Sequence, residues 1–188
     1  MMARPKSNDK RRAILDAATR VIAAQGLSAP TATLAREAGI SNGSLFTYFA
    51  TKSELLNQLY VELKTEMAAA LHGFPAEAPL REQVLYVWTN WMRWATTHPD
   101  KRRALALLAV SDDITPETRA VANRLMAGVT GLMERVRAGG PLREAPMPFV
   151  GAMLTSLAET TMDFMIHDPP NAAQHCAVGF ETAWRAIG

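Results

Sequence analysis

The chain has a single cysteine, Cys176. An internal disulfide framework is therefore excluded, and a cytoplasmic location is the default expectation. Strand signals are almost absent. No apolar run reaches the eighteen or so residues that a membrane span needs. The opening MMARPKSNDKRR offers no apolar segment for a signal peptide, so no membrane partner is expected. There is no Gly-rich phosphate loop, nucleophile elbow or HExxH pair. These absences point away from an enzyme and call for no cofactor. Repeats and low-complexity tracts are missing too.

What remains is a chain of ordinary globular composition. Hydrophobic residues make up 48% and charged residues 20% of 188 positions, which is ample for a real core. The charge is unevenly spread. Residues 1–50 hold seven Lys/Arg against three acids, a net +4, while the remaining 138 residues hold thirteen against fifteen, a net −2. A basic head on a near-neutral body fits a polyanion partner at one end, and it equally fits a solvated charged tail.

Helical periodicity dominates, and Pro/Gly clusters punctuate it. The pattern predicts an all-α chain of nine helices. The first covers about 8–25, with Ile14, Ala18, Val21 and Ile22 on one face, and Gly26 closes it. Thr31 caps a second helix over 33–38, Gly39 makes the turn, and Ser41 caps a third over 42–49. Thr51-Lys-Ser-Glu54 is a capping box that opens a fourth helix running to about 71. Later helices are expected over 80–97, 101–110, 116–138, 149–167 and 171–187. Three short helices form a head (1–51), and six longer ones form a body (52–188).

The head has the layout of a helix-turn-helix. Its third helix is the element to enter a DNA groove, with Asn42, Gly43 and Ser44 at the tip. Gly43 permits close backbone approach, while Asn42 and Ser44 donate and accept hydrogen bonds. Thr31, Thr33, Tyr48 and Lys52 are placed to clamp phosphates on either side. Lys52 in the first turn of a helix opposes the helix dipole, which an external anion would explain. Leu34, Ala35, Ala38, Ile40, Leu45 and Phe49 form the inward set. Two readings stand for several of these residues. Tyr48 is either a contact or a core aromatic, Ser41 a contact or only a cap, and Phe46 a backbone contact or a packing residue. The segment Arg4–Arg12 is either a second contact to DNA or a disordered arm.

Residues 10–58 resemble the N-terminal domain of the tetracycline-repressor (TetR) family of bacterial transcription regulators. The resemblance rests on Ile14-Leu15-Asp16-Ala17-Ala18, Gly26, Thr31 and Leu34-Ala35-Arg36-Glu37-Ala38-Gly39-Ile40-Ser41. It continues through Gly43-Ser44-Leu45-Phe46-Thr47-Tyr48-Phe49 and Lys52-Ser53-Glu54-Leu55-Leu56. It covers roughly a quarter of the chain. Phe46 departs from it, because the family usually has tyrosine there, and the lost hydroxyl puts one phosphate contact in doubt. The resemblance implies an all-helical homodimer that represses transcription from a palindromic operator until a small effector binds the body. It also implies that Asn42, Gly43, Ser44 and Tyr48 face DNA and that Lys52 holds a phosphate.

In the body, the predicted fifth helix carries an apolar arc wider than a surface helix needs. Trp88, Trp91 and Met92, with Met126, Phe149 and Met153, are candidates to line an apolar effector pocket; plain core packing is the other reading. Arg81 falls within this arc and either snorkels outward or points into a cavity. The predicted eighth helix has two apolar edges. Phe149, Met153, Leu157 and Phe164 form one. Gly151, Leu154, Ala158, Met162 and Met165 form the other, whose small residues suit a partner. With Phe180 and Trp184 of the last helix, this second edge is the candidate dimer surface; a monomer that buries both edges is the rival. Two further function classes compete: an architectural DNA-binding protein without an effector, and a metal-dependent enzyme using His167-Asp168 and His175-Cys176.

Overall fold

The computed structural model describes residues 4–188, with side chains from residue 8 onward. Ten α-helices and one 3-10 turn make up its regular structure, with no strand among the described residues. Helix α1 (Arg4–Gln25) starts at Arg4, four residues earlier than expected. The proposed arm is thus helical in its backbone from that point, and the side chains of Arg4 and Lys6 lie outside the described residues. Ile14, Leu15, Ala17, Ala18, Val21 and Ile22 are buried along α1. Buried Thr19 is satisfied by donating from Oγ1 to the Leu15 carbonyl at 2.9 Å.

Helix α2 (Thr31–Glu37) also begins early. Its cap position is Pro30, whose φ of −63° and ψ of 146° suit an N-cap, so Thr31 is the first helical residue and caps nothing. Gly39 makes the following turn at φ +69°, a conformation that L side chains rarely adopt. Helix α3 is only Asn42–Leu45. The residues beyond it tighten into i→i+3 bonds, Thr47 N to Ser44 O at 3.1 Å and Tyr48 N to Leu45 O at 3.0 Å.

Helix α4 (Lys52–Leu71) starts at its capping box. The Glu54 amide donates to Thr51 Oγ1 at 3.0 Å, and Glu54 Oε2 accepts the Ala50 amide at 2.7 Å. Helices α5 (Leu80–Thr97) and α6 (Pro99–Ala109) follow. The predicted helix over 116–138 is two, α7 (Pro116–Leu125) and α8 (Ala127–Arg137). The break falls at Met126, with φ −94° and ψ 3°. Gly128, Val129, Thr130 and Gly131 follow it, a weak helix-forming stretch. Helix α9 (Met147–His167), a 3-10 turn (Pro169–Asn171) and α10 (Ala172–Ile187) complete the chain.

The chain divides into two compact units, and the division does not fall at residue 51. Residues 1–66 and 98–124 form the first; 67–97 and 125–188 form the second. In the first, α1 packs on α2 and on α6, and α2 packs on α3. Periodicity reports which face of α6 is apolar but not that α1 receives it. In the second unit, α10 packs on α9 and α5, and α5 also meets α8 and α9. A Cβ on Gly179 would run into Thr161 Oγ1 and stand 2.9 Å from Trp88 Cζ2, so only glycine admits this approach of α10. Buried Gln83 donates to the carbonyls of Ala76 and Ala78 at 2.9 and 2.7 Å and accepts from Arg135 at 2.8 Å. Arg81 snorkels: it pairs with Glu181 and lies over the Phe180 ring, 5.1 Å from its centroid.

Candidate nucleic-acid interface

The helix-turn-helix is held from beneath and open at its tip. Leu34, Leu45 and Phe49 are each 0% exposed and anchor α2, α3 and the turn after it. Arg20 Nε and Glu37 Oε1 join α1 to α2 at 2.8 Å. Both side chains are about half exposed, so the pair sets geometry more than stability. Ser41 is the N-cap of α3: its Oγ accepts the Ser44 amide at 3.1 Å and lies 2.8 Å from Ser44 Oγ. Such a cap contributes about 1 kcal/mol.

The candidate contact residues differ in exposure. Ser41, Asn42, Gly43 and Phe46 are exposed, while Thr31, Thr33, Ser44, Tyr48 and Lys52 are half-buried. They come from α2, the cap of α3, α3 itself, the turn after it and the first residue of α4, all in one unit. Gly43 has an ordinary helical backbone, and a Cβ there would meet nothing nearer than Ser41 Oγ at 4.0 Å. The fold does not require glycine at this position. Lys52 has an internal role that the sequence did not reveal. Its Nζ donates to the Leu27 carbonyl at 2.6 Å, just past the end of α1. A cation there serves the C-terminal pole of α1, which accounts for a lysine at the wrong pole of its own helix.

The body candidates are arranged otherwise than expected. Trp88 and Met92 are 4% and 1% exposed, Trp91 and Met126 are half-buried, and Phe149 and Met153 are 54% and 40% exposed. A groove of about 360 Å³ runs along α9 and α10, past Leu157, Thr160, Phe164, Gln174, Val178 and Thr182. None of the six pocket candidates lines it. The two edges of α9 are the reverse of the expectation. Ala158 and Met162, assigned to a partner surface, are fully buried, as is Phe180 on α10. Leu154, Met165 and Trp184 are half-buried, and Gly151 is exposed. The edge expected inside, Phe149, Met153 and Phe164, is the exposed one. Both edges are apolar, so helical period alone could not tell them apart.

The histidine pairs resolve into a local hydrogen bond. His175 Nε2 lies 2.8 Å from Asp168 Oδ2, and Asn171 donates to the same carboxylate. His175, then Asn171, hold the Asp168 carboxyl below the usual range. Burial pushes the Cys176 thiol up, away from nucleophilic chemistry. Asn57 is a connecting residue that the sequence reading missed. Its amide donates to the Asp113 carbonyl at 2.7 Å and accepts the Thr115 amide at 3.0 Å, tying α4 to the start of α7. No sequence signal marks a pairing across so many residues.

Residues 14–59 match the family model described as bacterial regulatory proteins, tetR family. The chain is similar to the tetR family over this N-terminal segment. Its fold is that of tetR-family transcription regulators along almost its whole length. A protein from Shewanella sp. PV-4 assigned to that group is 27% identical, with a TM-score of 0.81 over 93% of this chain and 96% of its own. A TetR family transcription regulator from Marinobacter aquaeolei VT8 is 23% identical, with a TM-score of 0.84 over 98% of each chain. The transcriptional regulator FadR from Bacillus subtilis, solved in complex with stearoyl-CoA, shares the fold at 16% identity and a TM-score of 0.68, over 94% of this chain and 99% of its own. The matched segment runs from Ile14 to Leu59 and contains the candidate contact residues from Thr31 to Lys52. No helix of the described residues is long and apolar enough to cross a membrane.

Proposed function

We propose that this chain is an effector-responsive regulator, a repressor, that binds a palindromic operator in double-stranded DNA as a homodimer. The observation that carries the reading is the tip of α3. Asn42 and Gly43 stand exposed on a helix whose Leu45 is fully buried, so the tip is both presented and fixed. Glycine in a helix costs about 1 kcal/mol relative to alanine, and nothing inside the protein needs it at position 43. Close approach by an outside surface supplies the reason, and a major groove about 12 Å wide suits a helix of this size. Asn42 and Ser44 would reach base edges. Thr31, Thr33, Tyr48 and the edge of Phe46 would lie along the backbone, with Lys52 dividing its charge between Leu27 and a phosphate.

A four-residue recognition helix reads few base pairs, so selective binding calls for a second copy. The exposed edge of α9, Phe149, Met153, Leu157 and Phe164, with Val178 of α10, is the surface we assign to that copy. The span Met147–His167 contains no lysine or arginine, which suits a self-complementary apolar contact. Release would follow binding of a small apolar or amphipathic effector, a class that the stearoyl-CoA complex of the Bacillus subtilis relative supports. The effector must prefer the DNA-incompetent state, or no release occurs. Such a protein works in the cytoplasm, where the chromosome lies.

Footprinting on DNA flanking the chain's own gene tests this. One short protected palindrome is expected, with half-site centres one helical turn or a multiple apart. Broad, sequence-blind coating would instead indicate an architectural protein.

A further inference from the structure

The groove along α9 and α10 has a one-sided chemistry. It lies within the second unit and holds about 360 Å³, at the small end of the range for small-molecule sites. Leu157, Phe164 and Val178 give it apolar walls. Gly179 lines it too, the residue that lets α10 close on Thr161 and Trp88. At one end the rings of Phe164 and His175 lie 5.5 Å apart, and Thr160 stands one helical turn before Phe164. No lysine or arginine is among its described lining residues.

The polar groups of the groove have nearly all committed their protons elsewhere. Thr160 Oγ1 donates to the Ser156 carbonyl at 3.0 Å, Thr161 Oγ1 to the Leu157 carbonyl at 2.8 Å and Thr182 Oγ1 to the Val178 carbonyl at 2.8 Å. A hydroxyl has one proton, so each threonine keeps only lone pairs for a ligand. His175 Nε2 lies 2.8 Å from the Asp168 carboxylate, so Nε2 is the donor and the neutral ring keeps Nδ1 as an acceptor. Asn171 turns its amide nitrogen to the same carboxylate and keeps its carbonyl oxygen. Among the described residues of the groove, Gln174 alone has amide hydrogens with no internal acceptor. The lining therefore offers acceptors and an aromatic ring. A carboxylate or phosphate would meet lone pairs with lone pairs. An ammonium has donors only, and a ring face attracts it as well.

We propose that this groove binds a small apolar molecule carrying a primary ammonium group, with the head at Thr160, Phe164 and His175 and the body along Leu157 and Val178. This names an effector class for the regulator proposed above and rests on that reading only for the ligand's role. Leu157, Phe164 and Val178 also belong to the face assigned to the second copy, so an occupied groove excludes that copy. The ligand then prefers the single chain, which is the differential affinity that release from an operator requires.

2-Phenylethylamine, 2-phenylethanol and 3-phenylpropanoate, of nearly equal size, serve as probes in calorimetric titrations of the full chain. The amine is expected to bind about tenfold tighter than the carboxylate, with the alcohol between them. Thr160→Val combined with His175→Phe removes two acceptors and keeps the bulk, and lowers amine affinity about fivefold. Val178→Trp, at an exposed position, obstructs the groove and abolishes binding of every probe while helix content is unchanged. Saturating amine shifts the sedimenting species to 20.5 kDa and weakens operator binding. A carboxylate that binds as tightly as the amine, no binding of any probe at millimolar concentration, or amine affinity unchanged in either variant each overturns the proposal. Amine binding that leaves the dimer and operator affinity unchanged upholds the site and removes the regulatory reading instead.

Discussion

Replacing Gly43 by alanine separates the needs of the fold from the needs of the groove. The added Cβ would have Ser41 Oγ as its nearest neighbour at 4.0 Å, an ordinary contact, and the backbone there is not left-handed. Alanine also loses less backbone freedom on folding than glycine. The gain is about 0.4–1 kcal/mol when the conformation suits both residues. For a chain of this length that raises the melting temperature by about 1–4 °C. On DNA the same methyl group would sit between the helix backbone and the base edges. Overpacking a fitted contact costs about 1–3 kcal/mol, a roughly 5- to 150-fold loss of affinity. A two-headed complex suffers it twice. Calorimetry and a gel-shift titration at fixed salt read the two effects independently. A variant that melts higher yet binds operator as tightly as the parent would refute the groove argument, because the room around Gly43 would then serve nothing.

Other perturbations test other parts of the account. Lys52→Met leaves the Leu27 carbonyl without its donor and should lower the melting temperature by roughly 2–4 °C, corresponding to about 1 kcal/mol for a half-exposed charged hydrogen bond. If Lys52 also holds a phosphate, the slope of log affinity against log salt falls by about 1; an unchanged slope confines it to the cap. Phe164→Glu should convert the sedimenting species to one of 20.5 kDa while leaving helix content intact, and a surviving dimer would move the interface elsewhere. Gly179→Ala forces a Cβ into Thr161 and Trp88 and should cost about 1–3 kcal/mol with a shift in tryptophan emission; unchanged melting would contradict the close approach of α10. The lowered pKa of Lys64 means that the folded chain binds fewer protons than the unfolded chain between that value and the ordinary 10.5. Stability should therefore rise with pH across that window and lose the slope in Lys64→Met, as pH-dependent melts would show.

Much of this molecule is legible in the sequence because its helix ends are written in local chemistry. Thr51 and Glu54 announce α4, Gly26 ends α1, and Gly39 marks the turn of the helix-turn-helix. These signals act over a few residues, and the third helix and its exposed tip follow from them. The failures share a different cause. Lys52 finds its partner across 25 positions, and Asn57 reaches across more than fifty. No local rule anticipates such pairings. Helix α9 presents two apolar edges of equal appeal, so the choice between Ala158–Met162 and Phe149–Phe164 was made by packing on α10 and α5. The break at Met126 was hidden because no proline marks it, only the weak helix formers that follow. Gln83 reads as a surface residue by type, yet three hydrogen bonds let it sit inside.

The most direct measurement places a cutting reagent on the tip of α3. With Cys176 replaced by serine, Asn42→Cys gives one thiol to which an iron–EDTA group can be attached, and the complex with operator DNA is then activated. The account predicts strand cleavage at two symmetric positions, one per half-site, facing the major groove. Cleavage scattered along the duplex, or none from a tethered protein that still binds, would contradict it.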